Sequence, residues 1–352
     1  MSKRSTRLML ALALAAMLGL FATGCDQFMS SALIYLSQDP PAYDKAIEQL
    51  KEGLTVVPEN GNYFRLLAYC YFHTEQFKDS RAAYDNAIKF LPDKKDSLVQ
   101  ARDDHYDELY RRAAAFANRY AAATGDSSQV YLEKASKAMG NLFDFMPERD
   151  GNYMMRAFLA QRQGRAEEAN SAYLKAVELN PKNTAALSFL GVGAYNAGKF
   201  DDAAGFYRRI IAVNPADTIT HTRLGMTYFA QNKFGESIEP FRMAATLDPT
   251  NRSSLLYLAT AIINEGKNVA AAFDPLDKAL KMQEDDETWK MMGVAAMRES
   301  VKDYNRAISA FKRTTELKPD AREYWAYLRD AYFLKGDKAK VKELDAKLKK
   351  MK

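Results

Sequence analysis

Apolar side chains recur along the chain at the spacing of helical faces. Tyr84, Ala87, Ile88 and Leu91 stand at i, i+3, i+4 and i+7, which places them on one side of an α-helix. Short polar turns interrupt such runs, as in the Gly-Lys-Phe-Asp sequence at residues 198–201. The pattern predicts amphipathic helices that are joined by tight turns.

Residues 150–251 consist of three consecutive copies of one unit of about 34 residues. Each copy has an early small residue, a second small residue further on, then an aromatic residue and a closing proline. These positions are Ala157, Gly191 and Gly225; Ala169, Ala203 and Ser237; Tyr173, Tyr207 and Phe241; and Pro181, Pro215 and Pro249. The small residues allow two helices to approach closely, and the aromatic residues fill the space beside them.

This period and residue pattern resembles the tetratricopeptide repeat (TPR). The resemblance implies an all-α fold, a right-handed TPR superhelical solenoid of about eight or nine antiparallel helix pairs. One pair cannot bury its apolar face alone, so neighbouring pairs must stack. Asn183, Asp217 and Asn251 precede first helices, where their side chains can accept hydrogen bonds from free backbone N–H groups.

Weaker copies flank the clear ones and define the predicted domains. Residues 25–94 read as N-terminal repeats, residues 116–321 as the central array and residues 322–352 as capping helices. Residues 95–115 form an inserted extension of a long helix predicted over 96–123. This helix either projects beyond the stacked pairs, where it could contact a partner, or packs along its neighbours. Pro275 should kink its helix or shift the start of that helix.

The N-terminal 24 residues have the layout of a secretory signal. A basic stretch is followed by an apolar run at residues 8–22, which is shorter than the ~20 residues of a membrane span. The ending Ala22-Thr23-Gly24-Cys25 resembles the lipobox of bacterial lipoproteins. The resemblance implies that acyl chains on Cys25 anchor the protein to a membrane of the bacterial envelope, facing the periplasm. The alternative is an ordinary cleaved signal that leaves Cys25 as a free thiol.

Charge and motif content narrow the functional classes. Loss of Lys3, Arg4 and Arg7 with the leader would lower the net charge from +5 to near +2, which argues against a nucleic-acid binder. Metal-ligand and catalytic signatures are missing from the sequence, so we expect no enzyme activity, metal or cofactor. Cys70 reads as a small buried hydrophobe.

The resemblance also implies a concave groove lined by first-helix residues. At the family's groove positions stand Arg65, Tyr69, Phe72, Met154, Phe158, Gln161, Tyr195, Met226, Phe229 and Met297. This aromatic and methionine-rich set suits an apolar helix or an extended peptide, although some of its members could instead pack on neighbouring helices.

Two functional hypotheses follow from the resemblance. The first is a membrane-tethered scaffold that binds a protein or peptide partner in its groove during envelope assembly, secretion or transport. The second is a ligand-handling accessory of a periplasmic substrate-binding transporter. The lysine-rich final helix reads as a polar solvent face or as a contact with anionic lipid.

Overall fold

The computed structural model describes residues 26–351, and these form eighteen α-helices and no strand. The helices of the first half are α1 Gln27–Leu36, α2 Tyr43–Val56, α3 Gly61–His73, α4 Phe77–Phe90, α5 Lys95–Ala122, α6 Asp126–Phe145, α7 Asp150–Arg162 and α8 Ala166–Leu179. Those of the second half are α9 Thr184–Asn196, α10 Phe200–Val213, α11 Thr218–Ala230, α12 Phe234–Leu247, α13 Arg252–Glu265, α14 Phe273–Met282, α15 Asp286–Met297, α16 Tyr304–Leu317, α17 Arg322–Lys335 and α18 Lys338–Lys350.

The eighteen helices form nine consecutive pairs, which confirms the predicted all-α architecture of eight or nine pairs. A turn of three residues joins the two helices of a pair, at 197–199 and again at 231–233. So short a connection makes the two helices antiparallel neighbours. The lipidation predicted at Cys25 lies outside the described residues. Within residues 26–351 no helix is both long enough and apolar enough to cross a bilayer.

Side-chain caps begin the first helices where the sequence predicts them. Asn183, Asp217 and Asn251 each accept a hydrogen bond from the backbone N–H three residues further on, at 2.9, 3.1 and 3.2 Å. Each bond satisfies an N–H group that has no partner inside the helix. These caps fix the start of three successive pairs.

A glycine and an aromatic ring interlock the two helices of a pair. A Cβ atom on Gly191 of α9 would lie 2.6 Å from the Tyr207 ring of α10, and one on Gly225 would lie 2.6 Å from the Phe241 ring. Both rings are almost wholly buried. The predicted close approach of the helices is confirmed, and it depends on the missing side chain.

The long helix α5 packs along its neighbours. Its buried residues run along most of its length: Leu98, Tyr106, Leu109, Ala113 and Ala117. The predicted extension at residues 95–115 is thus buried on one side, and residue 115 lies inside α5. Of the two alternatives for this segment, the structure shows packing.

The helices fall into two compact units, which divide after Pro181. The first unit contains α1–α8, and its core includes Phe72 and Phe145. The second contains α9–α18, with core clusters around Leu276 and Phe311. Pro275 is the third residue of α14, after the 3-10 turn Val269–Ala272. The predicted shift of the helix start is confirmed, because a proline in the first turn costs no helical hydrogen bond.

Candidate partner-binding surface

In the second unit, a side-chain hydrogen bond joins the first helices of two successive pairs. The Arg223 guanidinium of α11 donates a hydrogen bond of 2.8 Å to the hydroxyl group of Ser188 on α9. Both residues are half-buried. This contact joins two first helices directly.

Helix α11 presents an apolar stripe on this surface, formed by Ile219, Thr222, Met226 and Phe229. The spacing i, i+3, i+7 and i+10 keeps the four side chains on one helix face. Ile219 is 63% exposed and Met226 is 37% exposed, whereas Thr222 and Phe229 are half-buried. The helix places Leu224 and Gly225 in the core, on the side opposite the exposed side chains of Ile219 and Met226.

Packing on the next helix fixes two of the predicted aromatic residues. The Tyr195 ring meets Phe200 edge to face, with centroids 5.4 Å apart and planes at 66°. One repeat later, the Phe229 ring meets Phe234 at 4.9 Å and 68°. In each case the partner ring opens the second helix. Rings held in this way lose little rotational freedom when a partner binds, which lowers the entropic cost of association.

The structure places Met297 differently from Met226. Met297 is half-buried at the end of α15 and packs against the cluster that contains Phe311 and Leu328. Its side chain supports the core at this end of the unit.

In the first unit, Phe72 is a correction to the predicted groove set. It is only 4% exposed, because its ring stacks on His105 at 3.8 Å and 6°. Helix α5 delivers His105 to that position, and the repeat frame does not fix the direction of this inserted helix. Arg65 and Tyr69 lie on α3 with Phe72 and are half-buried. The rings of Tyr69 and His73 meet edge to face, with centroids 4.3 Å apart.

The three predicted residues of α7 differ in accessibility. Met154 and Phe158 are half-buried, whereas Gln161 is exposed. The Arg162 guanidinium lies 5.5 Å from the centre of the Phe158 ring, and the Tyr173 hydroxyl donates a weak 3.4 Å hydrogen bond to Gln161. Of the three residues, Gln161 is the most accessible to a partner.

An aromatic and histidine cluster in the first unit was not predicted. Its members are Tyr43, Tyr69, Phe72, His73, Tyr84 and His105. His105 Nδ1 and the Tyr84 hydroxyl are 2.9 Å apart. Burial is the main reason that the pKa of His105 falls to about 4, and the neighbouring His73 adds to the effect. The contributing residues come from α2 to α5, and no sequence motif links them.

Comparison with known proteins finds a repeat family that matches part of these helix pairs. The family description "tetratricopeptide repeat" matches residues 42–95 and 154–218. These two segments, about a third of the chain, match the repeat. The second match falls inside the three predicted copies, and it includes the interlocked pair of Gly191 and Tyr207. No curated relative matches the chain significantly.

Solved structures with similar helix arrangements are remote in sequence. The chain is similar to MamA, with 22% identity over 48% of this chain and 91% of that one, at a TM-score of 0.43. YrrB, described as a TPR protein with an unusual peptide-binding site, is 19% identical over 52% of this chain and 94% of that one, at a TM-score of 0.44. The C-terminal part of a TPR protein from Cytophaga hutchinsonii is 16% identical over 86% of this chain and 99% of that one, at a TM-score of 0.45.

Two observations concern metal-binding and nucleophilic side chains among the described residues. Within residues 26–351 no three His, Cys, Asp or Glu side chains come close enough together to hold a metal ion. Cys70 is fully buried, and burial raises the pKa of its thiol to about 12. A thiol with so high a pKa is a poor nucleophile at neutral pH.

Proposed function

We propose that the chain is a scaffold that binds a protein or peptide partner through the first helices of its second unit. The observation that carries the proposal is the α11 stripe, where Ile219 and Met226 remain exposed on the same helix as Phe229. The rings of Phe229 and Tyr195 are each held against the ring that opens the next helix. The tetratricopeptide repeats at residues 42–95 and 154–218 support this assignment, because stacked repeats build extended binding surfaces.

The stripe has the chemistry of a helix-binding surface. Full burial of an isoleucine or methionine side chain contributes roughly 1.5–3 kcal/mol. Flexible methionine adapts to an apolar partner, and a few such anchors supply most of the affinity of an interface. We therefore expect a partner segment with an apolar face.

The test is affinity capture from gently solubilised native membranes with a pair of matched variants. Met226→Glu should abolish or strongly weaken partner recovery, because it puts a charge into the contact. Leu247→Glu is the control, since Leu247 is also 37% exposed but lies at the end of the second helix α12. Circular dichroism should show equal helix content for both variants.

Recovery of the same partners with wild type, Met226→Glu and Leu247→Glu would contradict this surface assignment. If the protein instead carries a bound organic molecule and no protein partner, the transporter-accessory hypothesis would replace the scaffold.

We further propose that acylated Cys25 anchors the scaffold to a membrane of the bacterial envelope, on its periplasmic side. The motif Ala22-Thr23-Gly24-Cys25 supports this proposal. Two acyl chains already suffice for stable anchoring. Cys25→Ser should move the protein from the membrane fraction to the supernatant at high salt, and an unchanged distribution would refute the anchor.

A further inference from the structure

A recessed groove runs along the outer side of α18. It encloses about 630 Å³. Phe333, Val341 and Ala346 provide its apolar surface, and Lys338, Lys342 and Lys349 surround that surface. Phe333 is 65% exposed. The groove is therefore open to solvent, with an apolar anchor point and a basic rim.

The lining residues of α18 form one continuous helical stripe. Lys338, Val341, Lys342, Asp345, Ala346 and Lys349 follow the spacing i, i+3, i+4, i+7, i+8 and i+11. This spacing extends along almost the full length of α18. The buried residues Leu344 and Leu348 hold the other side of the helix in the core.

The same stripe one repeat earlier carries a packed helix. Phe311 of α16 stands 34 positions before Asp345, and its fully buried ring stacks on Tyr327 of α17 at 5.3 Å and 15°. Ile308, 34 positions before Lys342, is 7% exposed. The part of the groove formed by Lys342 and Asp345 thus corresponds to positions that receive a helix one repeat earlier, whereas Lys312, 34 positions before Ala346, is exposed there.

The side chains of the groove change what kind of helix fits. Where α16 has Ile308 and Phe311, α18 has Lys342 and Asp345. The Asp345 carboxylate lies 3.6 Å from the Arg329 guanidinium, which offsets its charge. The groove therefore combines an apolar floor with an excess of positive charge.

The lysines of the groove differ from other lysines of α18. Lys340 pairs with Glu343 at 2.7 Å, and the Lys347 ammonium group lies 3.1 Å from the centre of the Trp325 ring. No carboxylate in residues 26–351 forms an ion pair with Lys338, Lys342 or Lys349. The three groove lysines are thus available to an acidic partner.

We propose that this groove binds an amphipathic helix of a partner protein, with an apolar stripe seated on Phe333 and with Asp or Glu residues on both sides of that stripe. Charge complementarity selects the acidic flanks, and the repeat position selects the helical shape. A recess suits an inserted helix better than a planar lipid surface, because a bilayer would contact only the protruding rim. This site is separate from the α11 stripe and does not depend on its assignment.

The test selects binders of the full chain from a displayed library of helical peptides about four turns long. Lys342→Glu/Lys349→Glu serves for counter-selection. The matched control is Lys281→Glu/Lys312→Glu, since those lysines are exposed on other helices. Affinities of enriched peptides are measured by fluorescence anisotropy at low and high salt, and vesicles rich in phosphatidylglycerol form a separate arm.

The enriched peptides should carry acidic residues on both sides of an apolar stripe. Their affinity should fall about 10-fold or more in Lys342→Glu/Lys349→Glu and about 10-fold in Phe333→Ala, and it should weaken as salt rises. The control should differ from wild type by less than about twofold. All the substituted side chains are exposed, so helix content should be unchanged.

Three results would overturn the proposal. One is that no peptide is enriched in a groove-dependent way. Another is that the enriched peptides lack acidic residues or bind the charge-reversed variant equally well. The third is that the vesicles bind through these lysines while the peptides do not, which would assign the groove to a lipid surface.

Discussion

Two glycines on one helix should respond to the same substitution with opposite signs. In α9, a Cβ atom on Gly191 would lie 2.6, 3.0 and 3.1 Å from three atoms of the Tyr207 ring, whereas one on Gly193 would meet nothing within 4 Å. Favourable carbon contacts begin near 3.5 Å. The Tyr207 ring is only 2% exposed, so it cannot move aside without disturbing its neighbours.

The magnitudes follow from two opposing effects. Replacing a helical glycine with alanine gains about 0.5–1 kcal/mol through the backbone entropy of the unfolded chain, and overpacking a core costs about 1–3 kcal/mol. With three close contacts, Gly191→Ala should lower the free energy of unfolding by about 1–2 kcal/mol. Gly193→Ala should raise it by about 0.5–1 kcal/mol.

The assay is urea-induced unfolding followed by circular dichroism. Hydrogen exchange of α9 and α10 amides localises the effect, because repeat arrays can unfold in steps. In a Tyr207→Leu background, the penalty of Gly191→Ala should largely disappear, because the clashing ring is gone. If Gly191→Ala stabilises the protein as much as Gly193→Ala does, the ring of Tyr207 does not interlock with α9.

Further predictions concern buried polar groups and a helix end. His105 has a folded pKa of about 4, below the ~6.5 of an unfolded histidine. The free energy of unfolding should therefore be full above pH ~6.5 and should fall by on the order of 2 kcal/mol as the pH drops towards 4. A plot of the urea midpoint against pH should have a shallower slope for His105→Phe than for wild type. Asn152→Leu should lower the free energy of unfolding by about 1–3 kcal/mol, since it removes the acceptor of the Tyr106 hydroxyl at 2.8 Å. Thermal unfolding that matches wild type would contradict this. Gly266 caps the C-terminal end of α13 at φ +82°. Gly266→Ala should therefore lower the free energy of unfolding by about 1 kcal/mol, measured by thermal unfolding.

The repeat frame made most of the fold predictable. The 34-residue period located the helix pairs, and Asn183 and Asp217 located helix starts because capping is a local interaction between a side chain and its own backbone. Gly191 and Tyr207 could be paired because they occupy fixed positions in the copy. These features depend on neighbours in sequence, which is why one sequence sufficed to find them.

The features that were not predicted depend on contacts between residues that the 34-residue repeat does not relate. Phe72 stands at a groove position in sequence, yet His105 covers it because α5 is longer than a repeat helix. Pro240 lies inside α12, where the rule for helix interiors would place a kink or an end. The α18 groove was foreseen only as a lysine-rich face, since the recess appears only when α17 and α18 are packed together.

The turns that join helices within the second unit also shape how this part of the chain folds. Packing there is mostly between helices that follow each other in sequence, from α9 to α18. Contacts so close in sequence demand little loop closure before they form, which favours rapid folding from several local nuclei. Opening should likewise propagate from pair to pair rather than by one concerted event. A partner that bound across α9 and α11 would then slow the local unfolding of both helix pairs.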